Sequence, residues 1–130
     1  LKTSFPDDYF DAITAISTVE HIGVSGRYGA HEDMSADKKA IDEMQRILKS
    51  GGTILLTVPF GKAKIIKPFS RIYDGGLIKQ LVGGLKIEKE EYYMQDSGDD
   101  WYKCSQEEAE GVEATDSKSA LCALKLVKKT

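Results

Sequence analysis

Two short apolar runs, Asp11–Ser17 and Thr53–Val58, flank a segment whose apolar residues recur every three to four positions, and that order admits few architectures. Each run is apolar or β-branched on both faces, which suits a strand covered on both sides, as in a parallel sheet sandwiched by helices. Between them, Ala40, Ile41, Met44, Ile47 and Leu48 form one helical stripe. Ser35 is expected to cap this helix, with Asp37 in its first turn, Lys49 in its last, and Gly51-Gly52 ending it. Strand, helix and strand in this order predict a βαβ unit, with Pro59 stopping the second strand.

The remaining elements are shorter. Phe5 to Phe10 reads as a turn around Pro6 and the Asp7–Asp8 pair, and the glycines at 23, 26 and 29 mark a loop from Gly23 to Asp33. Asp74 can cap a second helix that buries Leu77, Ile78, Leu81, Val82 and Leu85, kept short by glycines at 75, 76, 83 and 84. Lys86–Met94 is so heavily charged that, as a strand, it belongs at an edge. Ser105 to Glu108 matches a capping box and predicts a brief helix. Ala120–Leu124, continued by Leu126-Val127, is apolar on both faces and must be interior. A buried last strand after an edge strand implies insertion between its two predecessors, antiparallel to its neighbours.

Composition excludes several classes. The net charge of −3 over 130 residues argues against a polybasic nucleic-acid or membrane-surface protein. No apolar run approaches the roughly 20 residues that span a bilayer. Cys104 and Cys122 are too few for a disulfide scaffold or zinc cluster, so a reduced, cytoplasmic setting is the simplest expectation. The charge is concentrated: residues 95–118 hold eight acidic residues and two lysines, an acidic excursion with Trp101 and Tyr102 inside it. Trp101 is expected to pack into the core rather than to wall a lid.

The order of these elements and their local wording resemble class I S-adenosylmethionine-dependent methyltransferases. The resemblance rests on Phe5-Pro-Asp-Asp-Tyr-Phe-Asp11, Val19-Glu-His-Ile22, and Arg46-Ile-Leu-Lys-Ser-Gly-Gly52 followed by Thr53–Pro59. Glu20-His-Ile-Gly23, Gly26-Arg-Tyr-Gly29, Val58-Pro-Phe-Gly61 and Ser70-Arg-Ile-Tyr73 resemble the small-molecule or sugar-modifying, type 11-like branch. The likeness is clear over residues 5–85, weak over 86–118, and returns topologically in the closing strand. It implies an α/β, Rossmann-like half-sheet corresponding to strands four to seven, the last antiparallel and inserted. The family's glycine-rich cofactor loop and the acidic residue ending its second strand have no counterpart in these 130 residues. The expectation is therefore that residues 1–130 are the C-terminal part of one methyltransferase domain, that the N-terminal strands are missing, and that this fragment alone is inactive.

The resemblance also implies a site at the carboxyl ends of the strands, where open α/β sheets bind ligands. Ser17 and Thr18 would lie beside S-adenosylmethionine. Glu20 and His21 are the candidate catalytic pair, because methyl transfer needs alignment and, where a proton must leave, a base such as imidazole. Arg27, Tyr28, Arg71 and Tyr73 are candidate contacts to a small-molecule acceptor, with Arg offering a planar fork of donors. No metal site is expected: Ser17 stands where the metal-binding RNA-end enzymes of this class have a first Glu, and His31, Glu32 and Asp33 fit no recognised ligand spacing. A rival expectation is a non-catalytic module that dimerises by pairing across strand 11–17.

Overall fold

Strand β1 (Phe10–Ile16) runs parallel to β2 (Leu48–Phe60), with helix α1 (Ala36–Ile47) in the crossover between them. The computed structural model describes residues 2–24, 33–66, 70–98, 100–115 and 117–130. After β2 come a hairpin of β3 (Lys64–Ile66) and β4 (Ser70–Ile72), helix α2 (Gly75–Leu81), strand β5 (Lys86–Gln95), strand β6 (Tyr102–Cys104), helix α3 (Gln106–Glu110) and strand β7 (Ser119–Val127). The main sheet has the order β1-β2-β7-β5-β6. The closing strand is inserted as expected: β7 pairs antiparallel with β2, from Thr53↔Val127 to Phe60↔Ala120, and antiparallel with β5.

One face of the sheet carries the core. Alternate residues Ile54, Leu56, Val58 and Phe60 of β2 and Ala120, Cys122, Leu124 and Leu126 of β7 are buried, in one cluster with Ile41, Ile78, Leu81, Val82, Ala109 and Val112 from the helices and loops. The residues in between point to the other face, which no described helix covers. Leu55 is 44% exposed there, and Ile16 at the end of β1 is 57% exposed. Burial of Cys122 pushes its thiol up to about 12, so it serves as a small apolar filler. Among the described residues no helix is long and apolar enough to cross a membrane.

Several expectations are corrected. Helix α1 ends at Ile47 and β2 begins immediately, so Gly51 and Gly52 lie inside a strand. They occupy a bulge: the register jumps from Phe10↔Leu48 to Ala12↔Thr53, with Gly51 in the left-handed region at φ +78°. Pro59 does not end β2, because its missing N–H is no obstacle opposite Leu121 and the strand continues to Phe60. Ser35 flanks α1 but makes no side-chain cap; its hydroxyl donates to Asp33 Oδ1 at 2.8 Å. Strand β6 covers β5 only at Tyr92–Met94, so the charged stretch from Lys86 to Glu91 lies at an edge among the described residues, as its charge density predicts. Leu77 is 39% exposed and Trp101 is 46% exposed, neither in the core. Strand β1 buries Ala15 beside Leu56 but exposes Ala12, Thr14 and Ile16, because these point to the uncovered face on the side of Leu55. Asp74 caps α2 by accepting from Leu77 N at 2.9 Å, and the Ser105–Glu108 capping box is present, both as the sequence predicts.

The segment before β1 is fastened to α1 by one acidic residue. Glu43 accepts two bonds from Arg46, each 2.7 Å, and two from Thr3, at 2.6 Å from N and 2.7 Å from Oγ1. The Arg46 bonds, then those from Thr3, hold the Glu43 carboxyl well below the usual carboxylate range. A carboxyl lowered in the folded state adds stability above its unfolded pKa of about 4.3, and that contribution disappears as pH falls through the folded value. In urea unfolding followed from pH 7 downwards, the native chain is expected to lose stability more steeply than Glu43→Gln below about pH 4.5. The two should converge in acid; parallel slopes would show that this carboxylate is not linked to folding.

Candidate functional site

The carboxyl ends of β1 and β2 lie side by side, and the chain turns sharply at each. Ser17, just past β1, takes φ +50°, and its N–H donates to Thr57 O at 3.2 Å and Thr57 Oγ1 at 3.0 Å. Thr18 Oγ1 donates to Ile16 O at 3.0 Å. These bonds tighten the turn and start a 3-10 turn over Val19–His21. Past β2, Gly61 sits at φ +144°, where a Cβ would stand 2.5 Å from Val112 O. Its N–H donates to Tyr73 O at 2.9 Å, which locks the segment after β4 beside the end of β2.

Glu20 is 2% exposed, and its Oε2 lies 3.6 Å from His21 Nε2. The loop carrying this pair is held by Arg71. The guanidinium is 4% exposed and donates through Nη1 to the carbonyls of Glu20, at 3.4 Å, and Ile22, and through Nη2 to Asp33 O at 3.2 Å. Its Nε faces Asp37 Oδ2 at 3.6 Å, and the same oxygen accepts from Tyr73 Oη at 2.8 Å. Burial, then the Asp37 charge, pushes the Tyr73 hydroxyl far up, so it stays a neutral donor. Gly23, at φ +77°, closes the ring: its carbonyl accepts from Asp33 N at 2.8 Å, and a Cβ there would stand 2.1 Å from Asp33 O.

Four of the sequence-selected residues, Glu20, His21, Arg71 and Tyr73, thus converge from two segments fifty residues apart. Arg27 and Tyr28 lie outside the described residues, as do His31 and Glu32. Ser17 and Thr18 stand at the end of β1, beside a cavity of about 410 Å³ lined by Ile16, Ser17, Thr57, Tyr93, Trp101 and Leu121. Asp37 was legible only as a first-turn acid of α1, yet it bonds Tyr73 and pairs with Arg71. Its signal was its place one helical turn past the loop, which is weak without knowing that β4 packs there. Among the described residues no three His, Cys, Asp or Glu side chains gather as metal ligands.

Comparison with known proteins adds a family and a fold. A family model described as "Caenorhabditis protein of unknown function, DUF268" matches residues 3–120. The chain belongs to that family. This DUF268 chain is also 38% identical over 71 residues to the ubiquinone/menaquinone biosynthesis C-methyltransferase UbiE of Vibrio parahaemolyticus, and 39% over the same length to that of Vibrio campbellii. The match takes in 54% of this chain and spans 22% of the length of each curated relative. Among solved structures, a SAM-dependent methyltransferase from Methanosarcina mazei superimposes with a TM-score of 0.63 at 13% identity, over 98% of this chain and 63% of that one. A SAM-dependent methyltransferase of the DUF858 family from Leishmania major gives 0.59 at 19% identity, over 95% and 41%. The [4+2]-cyclase SpnF gives 0.65 at 16% identity, over 99% and 53%. The DUF268 chain therefore has the mixed α/β, Rossmann-like fold of SAM-dependent methyltransferases.

Proposed function

We propose that the chain is the C-terminal portion of an S-adenosylmethionine-dependent methyltransferase that transfers a methyl group to a small-molecule or sugar-like acceptor. The observation that carries this reading is the sheet itself: parallel β1–β2 followed by an inserted antiparallel β7, with Glu20, His21, Arg71 and Tyr73 gathered at the carboxyl ends of β1 and β2. Fold alone does not assign chemistry, so the reading rests on that site.

When bound, S-adenosylmethionine supplies an activated methyl group for in-line displacement. Ser17 and Thr18 suit a minor share of its contacts, because the cavity beside Ser17 combines hydroxyls with the apolar and aromatic walls of Ile16, Tyr93 and Trp101. The larger share falls to a glycine-rich strand–turn–helix outside these 130 residues. The outer edge of β1 and the uncovered sheet face, with Leu55 and Ile16 exposed, suit such an N-terminal half. His21 Nε2, oriented by Glu20, accepts the acceptor's proton, while Arg71 holds the loop that presents them. Arg27, Tyr28, Arg71 and Tyr73 contact or position the acceptor, in a reducing, cytoplasmic setting.

Calorimetric titration of the 130-residue chain with S-adenosylmethionine is expected to show no micromolar binding. Co-expressed with the polypeptide encoded ahead of it, the chain is expected to bind, and His21→Gln to slow methyl transfer by about 10²–10⁴-fold without changing cofactor affinity. Micromolar binding by the chain alone would overturn its reading as a portion. A second reading, a non-catalytic homodimer, is favoured by the same unpaired edge of β1; sedimentation showing a stable dimer that Thr14→Pro dissociates would establish it instead.

A further inference from the structure

Three of the nine large apolar side chains that are exposed among the described residues, Met34 at 45%, Ile65 at 45% and Leu77 at 39%, belong to different elements yet rim one cavity. It measures about 450 Å³ and lies between the start of α1, the β3–β4 hairpin and α2. That volume falls within the range of small-molecule sites, which bury an apolar body and orient it by a few polar groups. Ala63 and Ile72 extend the apolar wall, and the polar groups converge at one end, where Asp37, Arg71 and Tyr73 meet. A second cavity of about 230 Å³ shares Met34, Asp37, Tyr73 and Leu77 and lengthens the groove along α1.

The polar end discriminates between ligand chemistries. Arg71 has its donors on three backbone carbonyls and its charge beside Asp37, and Lys64, which also lines the cavity, places its Nζ on Ala114 O at 2.8 Å and 3.5 Å from Glu113, so both offer an anion little. The same pairing neutralises Asp37, so a cation gains little either. What remains is acceptor capacity: a carboxylate has about four lone-pair sites, and Asp37 uses one of Oδ2 for Tyr73 and one of Oδ1 for Lys38 N, while the Tyr73 oxygen can accept in turn. One ligand hydroxyl can therefore donate at this end. A sugar would bring several hydroxyls against Met34, Ala63, Ile65, Ile72 and Leu77, where they would lose water without gaining partners.

We propose that this cavity binds a neutral, largely apolar molecule carrying one hydroxyl, for which 2-naphthol serves as a probe, and that it is the acceptor pocket of the methyl transfer proposed above, a reading on which only the word acceptor rests. Ligand capture itself needs neither cofactor nor an N-terminal half.

The test is titration of the 130-residue chain with 2-naphthol, naphthalene and methyl β-glucoside, followed by amide chemical-shift changes. With 2-naphthol, sub-millimolar binding is expected, with shifts grouped at Met34, Asp37, Ile72 and Leu77. Leu77→Arg and Met34→Arg, both at exposed positions that leave the fold intact, are each expected to weaken it at least about tenfold by filling the rim with charge. Tyr73→Phe should weaken 2-naphthol about fivefold, the loss of roughly one hydrogen bond, and leave naphthalene unchanged. No binding, binding insensitive to both arginine variants, shifts confined to the uncovered face around Leu55 and Leu121, or preference for the glucoside would each overturn the proposal. If naphthol binds here while the co-expressed protein transfers no methyl group, the pocket stands and the methyltransferase reading fails.

Discussion

Replacing Arg71 by alanine is expected to destabilise the chain by about 3–5 kcal/mol, the range for removing one partner of a buried ion pair. The side chain is 5% exposed and that of Asp37 is 13% exposed, so the remaining carboxylate would lose its cation with little access to water. The carbonyls of Glu20, Ile22 and Asp33 would lose a donor together, and the loop carrying Glu20 and His21 would detach from β4. Lysine keeps the charge but cannot reach three carbonyls with a planar fork, so Arg71→Lys should recover less than half of the loss. Urea unfolding of the two variants checks both statements. A loss below about 1 kcal/mol for alanine would reduce the guanidinium to an ordinary surface group.

Truncating Phe60 to alanine is expected to cost a similar amount, about 3–5 kcal/mol. Its ring is 1% exposed and packs on Tyr92 with centroids 5.0 Å apart, joining the end of β2 to β5 across β7. Leu55, five residues earlier on the uncovered face, provides the comparison. At 44% exposed, Leu55→Ala should cost under about 1 kcal/mol in the isolated chain. If Leu55→Ala costs as much as Phe60→Ala, that face is covered in solution, and the one-sided sheet described here is incomplete. The pair of variants thus measures which side of the sheet holds the chain together.

That the same fold accompanies SAM-dependent methyltransferases and a [4+2]-cyclase keeps the question of chemistry with the side chains. Among the described residues His21 lies beside Glu20, the pair to which proton transfer is assigned in the proposal above, while Tyr73 beside Asp37 stays a neutral hydrogen-bonding group. Burial raises the thiols of both Cys104 and Cys122, which favours the protonated form over the nucleophilic thiolate.

Much of this was legible before any coordinates. The apolar runs at 11–17, 53–58 and 120–127 all became strands, and the insertion of β7 followed from burial on a strand that ends the chain's element order. The stripe from Ala40 to Leu48 became α1, and the caps at Asp74 and Ser105 hold as read. Misreadings arose where a residue's meaning depends on a distant partner. Gly51-Gly52 looks like a helix stop, yet β2 bulges there against β1. Leu77 continues an apolar period, but it stands over a cavity rather than against a neighbour.

The candidate site divides in the same way. Local patterns, which depend on side-chain period, caps and backbone restrictions over a few residues, identified the parallel β1–α1–β2 unit and the inserted last strand, while Glu20, His21, Arg71 and Tyr73 stood out only through the resemblance to a known family. Only tertiary packing made Arg71 the clamp of the Glu20–His21 loop, recruited Asp37, and left one sheet face bare while the other closed over the core. Those outcomes are decided by contacts between segments tens of residues apart. A hydrogen bond from residue 71 to residue 20 leaves no periodicity in the chain between them.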